Sequence, residues 1–115
     1  MAKHTILLSA RVVITNATSE DVEIRHTPLD ALVCYDRLTL VDHTSNTTSV
    51  HLGIKSGGSE FILDGKLAPG LNVPFTVAGK FFAPSYARPF ARFVGASLGD
   101  KVEFFVYGYI TDMPE

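Results

Sequence analysis

Apolar and polar residues alternate with a period of two along most of this chain. From Ile6 to Ile14 every second residue is apolar, and the opposite positions carry Thr5, Ser9 and Arg11. Successive side chains of a β-strand point to opposite faces, so this alternation predicts a strand with one buried face. No stretch sustains the helical period of about 3.6 residues, and the pattern therefore favours an all-β protein.

The same alternation predicts seven further strands, which makes eight in all. In the third strand the apolar positions change phase across Asp36-Arg37, which predicts a β-bulge or a break. Turn-forming clusters of Asn, Asp, Gly, Pro and Ser separate the segments. The predicted strands after the first are residues 22–24, 32–41, 50–54, 61–63, 75–77, 90–94 and 102–110.

Both faces of the last predicted strand are mostly nonpolar. A strand of this kind is normally covered on both sides, whereas a lone sandwich covers only its inner face. The second face therefore predicts contact with another protein, and we expect a homo-oligomer. One face carries Val102, Phe104, Val106 and Ile110, and the other carries Glu103, Phe105, Tyr107 and Tyr109.

Eight short strands separated by turns are typical of a β-sandwich or barrel. We predict an antiparallel β-sandwich of jelly-roll type, whose strand order the pattern does not reveal. The chain has 115 residues, enough for one core that removes roughly two-thirds of its surface from water. Residues 1–115 are therefore predicted to form a single β-sandwich domain.

Charge and cysteine content exclude several classes of protein. The net charge is −2, so the molecule as a whole is not steered toward nucleic acid or an anionic membrane. Cys34 stands alone, which excludes an internal disulfide and a cysteine-built zinc site. The apolar run from Ile6 to Leu8 is too short for a signal peptide or a membrane span. We expect a protein made in a cytosol, with no nucleic-acid or membrane partner.

No set of residues forms a recognisable catalytic or metal-binding motif. Cys34 lies in an apolar strand without a nearby base, and free cysteine in such a place behaves as a small buried hydrophobe. His43 and His51 would share one face if residues 44–49 closed a hairpin, but a metal site needs three or four ligands. We favour surface histidines, and we predict a protein without enzymatic activity, bound metal or cofactor.

The segment from Phe81 to Phe93 holds five of the twelve aromatic residues and two prolines. Prolines disfavour the middle of a strand or helix, so residues 81–90 are predicted to form a shaped loop at one end of the sandwich. The rings could complete the core, stack on single-stranded nucleic acid beside arginines, or contact another protein. Aromatic residues and arginine are enriched at interfaces, which favours protein contact, although we expect Phe90 to turn inward. The predicted contact residues, which include two tyrosines of the last strand, are Phe81, Phe82, Tyr86, Arg88, Tyr107 and Tyr109.

Three stretches together resemble small β-sandwich virion proteins of tailed bacteriophages. They are LTLVDHTSNTTSVHLGIKSGG, KLAPG and GASLGDKVEFFVYGYI, which fall between Leu38 and Ile110. In those proteins a strand leads through a Thr/Ser/Asn turn into a second strand, and a final strand ends near an aromatic-glycine pair. The resemblance implies a capsid decoration (cement) protein that is made in the host cytoplasm, ends in the virion, binds the major capsid protein and forms a homo-oligomer, commonly a trimer.

The same resemblance admits a component of the tail or of its receptor-binding apparatus, whose partners would be tail proteins. A carbohydrate-binding jelly-roll module is a separate alternative. Such a module needs an aromatic platform, and the chain has no Trp, although Tyr86, Tyr107 and Tyr109 are available. The virion role fits a small chain without a catalytic constellation best.

Overall fold

The computed structural model describes residues 3–24, 31–83 and 87–112, and their regular structure is entirely β-strand. The predicted all-β protein of eight strands is confirmed, and every predicted strand overlaps an observed one. None of the described residues forms a helix that could span a membrane. The strands are β1 (Lys3–Val13), β2 (Ser19–Glu23), β3 (Ala31–Asp42), β4 (Ser49–Ser56), β5 (Ser59–Leu67), β6 (Phe75–Ala83), β7 (Arg88–Val94) and β8 (Lys101–Asp112).

The strands form two antiparallel sheets of four. Sheet A has the order β1-β8-β3-β6, and sheet B has the order β2-β7-β4-β5. Most connections cross between the sheets, and β4 and β5 are the one consecutive pair of these strands that is joined within a sheet. Two four-stranded sheets wound in this way form a jelly roll. The predicted fold class is therefore confirmed, and the structure supplies the strand order.

The core lies between the inner faces of the two sheets. Burying an apolar side chain of medium or large size contributes about 1.5–3 kcal/mol, so both sheets depend on their shared interior. The largest fully buried side chains in the core cluster are Ile14, Tyr35, Leu38, Leu40, Leu52, Phe93 and Phe104.

A β-bulge in β3 confirms the predicted change of phase. The register of β3 with both β8 and β6 shifts across Asp36. Tyr35 and Leu38 both face the core, although simple alternation would place them on opposite faces, because the bulge absorbs one residue. Gly108 lies opposite Tyr35 on β8, and a Cβ there would come within 2.1 Å of the Cys34 carbonyl oxygen. The close approach of β8 to the bulged strand therefore requires glycine at position 108.

Residues 43–48 carry the chain between the sheets and do not close a hairpin. β3 belongs to sheet A and β4 to sheet B, so the condition under which His43 and His51 would share a face is not met. The buried carboxylate of Asp42 stabilises this connection between the sheets. It accepts hydrogen bonds from the Thr44 backbone N–H and from the Thr47 hydroxyl, both at 2.9 Å. The Thr/Ser-rich stretch is thus a turn between layers of the sandwich.

Candidate interaction surface

The outer face of sheet A is formed by side chains of β1, β8, β3 and β6 that point away from the core. The register places Leu7 of β1 beside Tyr107 of β8, and Tyr107 beside Arg37 of β3. In the next row Phe105 lies beside Thr39. Cross-strand neighbours point to the same face of a sheet, so these residues form one continuous surface, which we call the sheet A face.

Much of the sheet A face is apolar and open to solvent. Leu7 is 69% exposed, Phe82 is 59% exposed and Tyr107 is 44% exposed. Single exposed apolar residues are ordinary, whereas a contiguous set with aromatic rings is typical of an interaction site. A shallow groove of about 330 Å³ runs along this face and is lined by Leu7, Arg37, Thr39, Phe105 and Tyr107.

Tyr109 connects this groove to Phe82 at the edge of the sheet. The register places Tyr109 and Phe82 on either side of Cys34, which is a buried free thiol. A hydrogen bond with the Cys34 thiol raises the pKa of the Tyr109 phenol. The phenol is therefore neutral at physiological pH.

One end of the sheet A face carries a paired charge cluster. Glu103 on β8 accepts hydrogen bonds from Arg11 Nε at 2.9 Å and from His43 Nε2 at 2.6 Å. The other ring nitrogen of His43 lies 2.5 Å from Oδ1 of Asn72. The hydrogen bonds with Asn72 and Glu103 raise the pKa of His43, because both favour the protonated imidazole.

Sheet B buries an aromatic residue on its outer face. Phe90 of β7 is 0% exposed, yet it lies outside the core cluster, to which its neighbours Ala91 and Phe93 belong. The prediction that Phe90 turns inward is confirmed in its burial but wrong in its direction, because β7 points Ala91 and Phe93 to the core. The ring is instead covered by cations on the outside, where Lys55 Nζ and Arg92 Cζ each lie 5.1 Å from its centroid.

Gly53 provides the space for this ring. Gly53 lies opposite Phe90 in the register of β4 and β7. A Cβ at position 53 would come within 2.9 Å of the Phe90 ring and 2.4 Å of the Phe61 carbonyl oxygen. The ring therefore lies flat across the neighbouring strand, where the side chains of Lys55 and Arg92 can cover it.

Six charged side chains on the outer face of sheet B pair with one another. Arg92 makes a bidentate contact with Asp21, at 2.8 and 2.9 Å, and reaches Glu60 at 2.7 Å. Lys55 bridges Asp21 and Glu23, at 2.7 and 2.9 Å. Three acidic and three basic groups cancel, so this face is close to electrically neutral. The six are Asp21, Glu23, Lys55, Glu60, Arg88 and Arg92.

The pairing keeps these groups charged. Burial alone would raise the pKa of Asp21, but hydrogen bonds from Arg92 and Lys55 outweigh burial and lower it. Burial likewise acts to lower the pKa of Lys55, but Asp21 and Glu23 raise it overall. Each ion therefore stabilises its neighbours in the charged form.

A second exposed apolar region lies at the edge of the sandwich where β5 and β6 are the outermost strands. Every residue of β5 except Leu63 is exposed. Edge strands present unpaired backbone N–H and C=O groups to which another chain can bind. We call this region the β5–β6 edge; its exposed apolar residues on β5 and the following loop are Phe61 (57% exposed), Ile62 (46%), Leu67 (78%), Leu71 (54%) and Val73 (45%).

The predicted contact residues divide between the two sheets. Phe82, Tyr107 and Tyr109 lie together on the sheet A face. Arg88 lies on the outer face of sheet B, where its side chain is 54% exposed and Nη1 is 3.4 Å from Glu23. The structure therefore separates Arg88 from the tyrosines of β8.

The two remaining predicted residues are Phe81 and Tyr86, from the segment that was predicted to form a loop. Residues 81–83 belong to β6 and residues 88–90 to β7, so the loop prediction is wrong at both ends of that segment. Phe81 is half-buried and packs against the core. Tyr86 lies outside the described residues. Whether any of the six contacts a partner stays a prediction.

Sequence reasoning placed Phe105 on the nonpolar second face of the last strand, but it missed Leu7 and Arg37 as part of this surface. Leu7 occupies a position of β1 whose neighbours on the same face are polar, and such an interruption is a usable signal. Arg37 follows the bulge, which turns its side chain to the outer face. A bulge predicted from the sequence therefore also predicts which of the following residues point outward.

The two histidines of interest lie apart from each other. His43 contacts Asn72 and Glu103 at the end of sheet A. His51 lies on β4 of sheet B, where a Cβ at Gly65 would come within 2.6 Å of its ring, and its buried Nδ1 has no hydrogen-bond partner among the described residues. Within the described part of the chain, no group of three His, Cys, Asp or Glu side chains could hold a metal ion.

Comparisons with known proteins give matches in structure and none in sequence. No protein-family model and no curated protein matches the chain. Among solved structures, the chain is similar to a chain of the acidic stable capsid of Helicobacter pylori bacteriophage KHP30, with 17% identity and a TM-score of 0.64 over 99% of this chain and 98% of that chain. The predicted resemblance to phage virion proteins is thereby confirmed at the level of the fold.

Two further similar structures are much larger proteins. They are a chain of infectious bursal disease virus, Gt strain, with 10% identity and a TM-score of 0.36, and a chain of the VP2 subviral particle of the same virus, with 14% identity and a TM-score of 0.35. Each match covers 95% of this chain but only 32% of the other. The chain thus spans about a third of their length.

Proposed function

We propose that this chain is a non-enzymatic structural protein of a bacteriophage virion, which decorates the capsid by binding the assembled shell through the sheet A face. The observation that carries the proposal is the open aromatic surface around Tyr107 and Phe82. A surface of this kind favours burial against a partner, because burial removes its apolar area from water. The outer face of sheet B offers no such area, because its charges are paired over a buried ring.

The fold likeness supports the virion setting. The match to the KHP30 capsid chain covers 99% of this chain and 98% of that chain, so it spans nearly all of both. The match in fold agrees with the resemblance in the strand and turn pattern between Leu38 and Ile110. The likeness in fold and the likeness in the strand and turn pattern therefore point to the same class of protein.

The proposed contact centres on the aromatic residues of β8 and β6. A stable interface typically buries about 800 Å² on each partner, which is the scale of one outer face of a small sandwich. Aromatic side chains at the centre of such a contact carry a large share of the binding free energy. We assign this role to Tyr107, with Tyr109 and Phe82 beside it.

Mass spectrometry of purified virions tests the location of the chain. A decoration protein is expected at a copy number comparable to that of the major capsid protein. Purified chain is also expected to sediment with shells that lack it. Absence from the virion would contradict the proposal, and a few copies per particle would favour the tail or receptor-binding alternative.

We also propose that the chain is a homotrimer whose subunits meet at the β5–β6 edge. The support is the run of exposed apolar residues there, which include Phe61 and Ile62. In a ring of three, the same edge of each subunit contacts a different surface of the next subunit. This arrangement would cover the unpaired edge strands and leave the sheet A face free for the shell.

Light scattering at micromolar concentration tests the assembly. The wild-type chain should have a mass of about three times the 12.5 kDa of one chain. Ile62→Lys should shift this mass toward the monomer, because a buried charge without a partner opposes association. Leu98→Lys is the matched control, since Leu98 is 68% exposed in the turn before β8. A wild-type monomer, or equal effects of the two substitutions, would contradict the proposed edge contact.

A further inference from the structure

Arg37 differs from the other arginines of the described chain. Arg11 pairs with Glu103 at 2.9 Å, Arg88 with Glu23 at 3.4 Å, and Arg92 with Asp21 at 2.8 Å. Within the described residues, Arg37 has neither a carboxylate within ion-pair distance nor a hydrogen-bond partner. Its guanidinium is therefore available to a group that the chain itself does not supply.

The surroundings of Arg37 are mostly apolar, although Thr39 also lines the groove and the preceding residue, Asp36, carries a carboxylate. Arg37 lies between Tyr107 of β8 and Ala78 of β6 in the register of sheet A. It lines the groove of the sheet A face together with Leu7 and Phe105. The bulge at Asp36 is the reason for this placement, because unbroken alternation from Tyr35 would have turned residue 37 into the core.

We infer that Arg37 is the charged anchor of the sheet A face, and that the shell segment that docks in this groove presents a carboxylate flanked by apolar side chains. The inference rests on the proposed shell-binding function and adds the chemistry of the partner. A guanidinium forms two parallel hydrogen bonds with a carboxylate. Covering Arg37 with a purely apolar surface is unfavourable, because it would bury an uncompensated charge.

The charged part and the apolar part of such a segment would each meet a chemically matching part of the groove. Its carboxylate would meet Arg37, while its apolar side chains would lie against Leu7, Phe105 and Tyr107 on the other side of the groove. The paired cluster of Arg11 and Glu103 at the end of the face is already neutralised and would not compete for the carboxylate. Specificity would then come from the single free charge at the centre of the groove.

Sedimentation of the full chain with shells that lack it tests the anchor. At about 50 mM NaCl, Arg37→Gln should weaken binding roughly tenfold and Arg37→Glu roughly a hundredfold, whereas Arg37→Lys should retain part of the affinity. Binding by the wild type should weaken at about 500 mM NaCl, and binding by Arg37→Gln should change much less. Arg11→Gln is the matched control, since it removes an arginine from the same face, and it should bind within about twofold of wild type.

A chemical cross-link identifies the partner group. The amine introduced by Arg37→Lys should couple to a shell carboxylate through a carbodiimide, giving a cross-linked peptide at position 37 that mass spectrometry locates. Cross-links only at Lys80 or Lys101, or wild-type binding by Arg37→Glu, would overturn the inference while leaving the shell-binding function intact. Loss of binding after nuclease treatment would indicate nucleic acid as the partner and would also overturn it. If wild-type chain does not bind shells at all, the proposed function itself fails.

Discussion

The two outer faces of this sandwich have the same backbone arrangement but present different side-chain surfaces. Each belongs to a four-stranded antiparallel sheet with an aromatic residue near its centre. Phe90 on sheet B is 0% exposed, whereas Tyr107 on sheet A is 44% exposed. Lys55 and Arg92 lie across the ring of Phe90, while Arg37, beside Tyr107, leaves that ring open.

The difference comes from the acidic partners. On sheet B, Asp21 accepts hydrogen bonds from both Lys55 and Arg92 and so holds their side chains over the ring of Phe90. On sheet A, no described carboxylate lies within ion-pair distance of Arg37. Holding a long cationic side chain over a ring costs side-chain entropy, which a charge-assisted hydrogen bond to a carboxylate offsets. The carboxylate of Asp21 therefore explains why the ring on sheet B is covered. The ring of Tyr107 on sheet A stays exposed because no such carboxylate among the described residues fixes Arg37.

The largest expected effect is on folding stability, when the central ring of each face is truncated. Phe90→Ala should destabilise the fold by about 3 kcal/mol, because it leaves a cavity that Gly53 cannot fill. Tyr107→Ala should cost less than about 1 kcal/mol, since the ring is already partly in water. Urea unfolding followed by circular dichroism measures both changes. Similar losses of stability for the two variants would mean that the Tyr107 ring also stabilises the fold, and would contradict the proposed difference between the two faces.

The next effect concerns binding and uses one predicted contact residue from each sheet. Phe82→Ala should weaken shell binding by about 2 kcal/mol, as expected for an exposed ring at an interface. Arg88→Ala should weaken it by less than about 1 kcal/mol, because Arg88 is already paired with Glu23. Sedimentation with shells measures the affinity of each variant relative to wild type. Thermal melting confirms that both variants are folded. An effect of Arg88→Ala as large as that of Phe82→Ala would show that both faces take part.

The strands were predictable because burying one face of each strand imposes a period of two on the sequence. The phase change at Asp36 was predictable for the same reason, since the apolar positions had to return to the core after it. The pairing of strands was not, because all inward faces are similarly apolar and do not identify their neighbours. The crossing at residues 43–48 shows this: its turn chemistry is the same whether the chain stays in one sheet or changes sheets.

The candidate surface was predictable only where a strand is apolar on both faces. Tyr107 and Tyr109 met that condition, and they lie on the sheet A face. Phe90 did not, because it shares its face of β7 with Arg88 and Arg92. The burial of its ring depends on Lys55 and Asp21 from other strands. Contacts of that kind arise from strand order, which a single-sequence pattern does not contain.

A smaller effect is expected from the centre of the sheet B charge network. Asp21→Asn should destabilise the fold by about 1 kcal/mol at neutral pH, because Arg92 and Lys55 both lose a charged partner. The pKa of Asp21 is lowered by these partners against the effect of burial. A lowered pKa gives stability that is present above the unfolded value of about 4 and lost as pH falls through the folded value.

Urea unfolding of wild type and Asp21→Asn over a pH series measures this contribution. The difference between the two should be constant around neutrality and shrink below about pH 4. Asp64→Asn is the control, since Asp64 is exposed on β5 and, among the described residues, hydrogen-bonds only the backbone N–H of Gly65. A difference that grows on acidification would contradict the assigned role of Asp21.

The smallest effect tests the one paired cluster on the sheet A face, and it should respond to pH in the opposite direction. Hydrogen bonds with Asn72 and Glu103 raise the pKa of His43, so its contribution is fully present below the unfolded value of about 6.5 and is lost as pH rises through the folded value. His43→Gln should therefore cost roughly 0.5 kcal/mol at about pH 5.5, the size of an exposed ion pair, and much less at about pH 8.5. Glu103→Gln should flatten this dependence, because it removes the charge that the imidazolium meets at 2.6 Å. A deficit of His43→Gln that is constant with pH would mean that the imidazole is neutral in this contact, and Arg11 would then be the only described cation paired with Glu103.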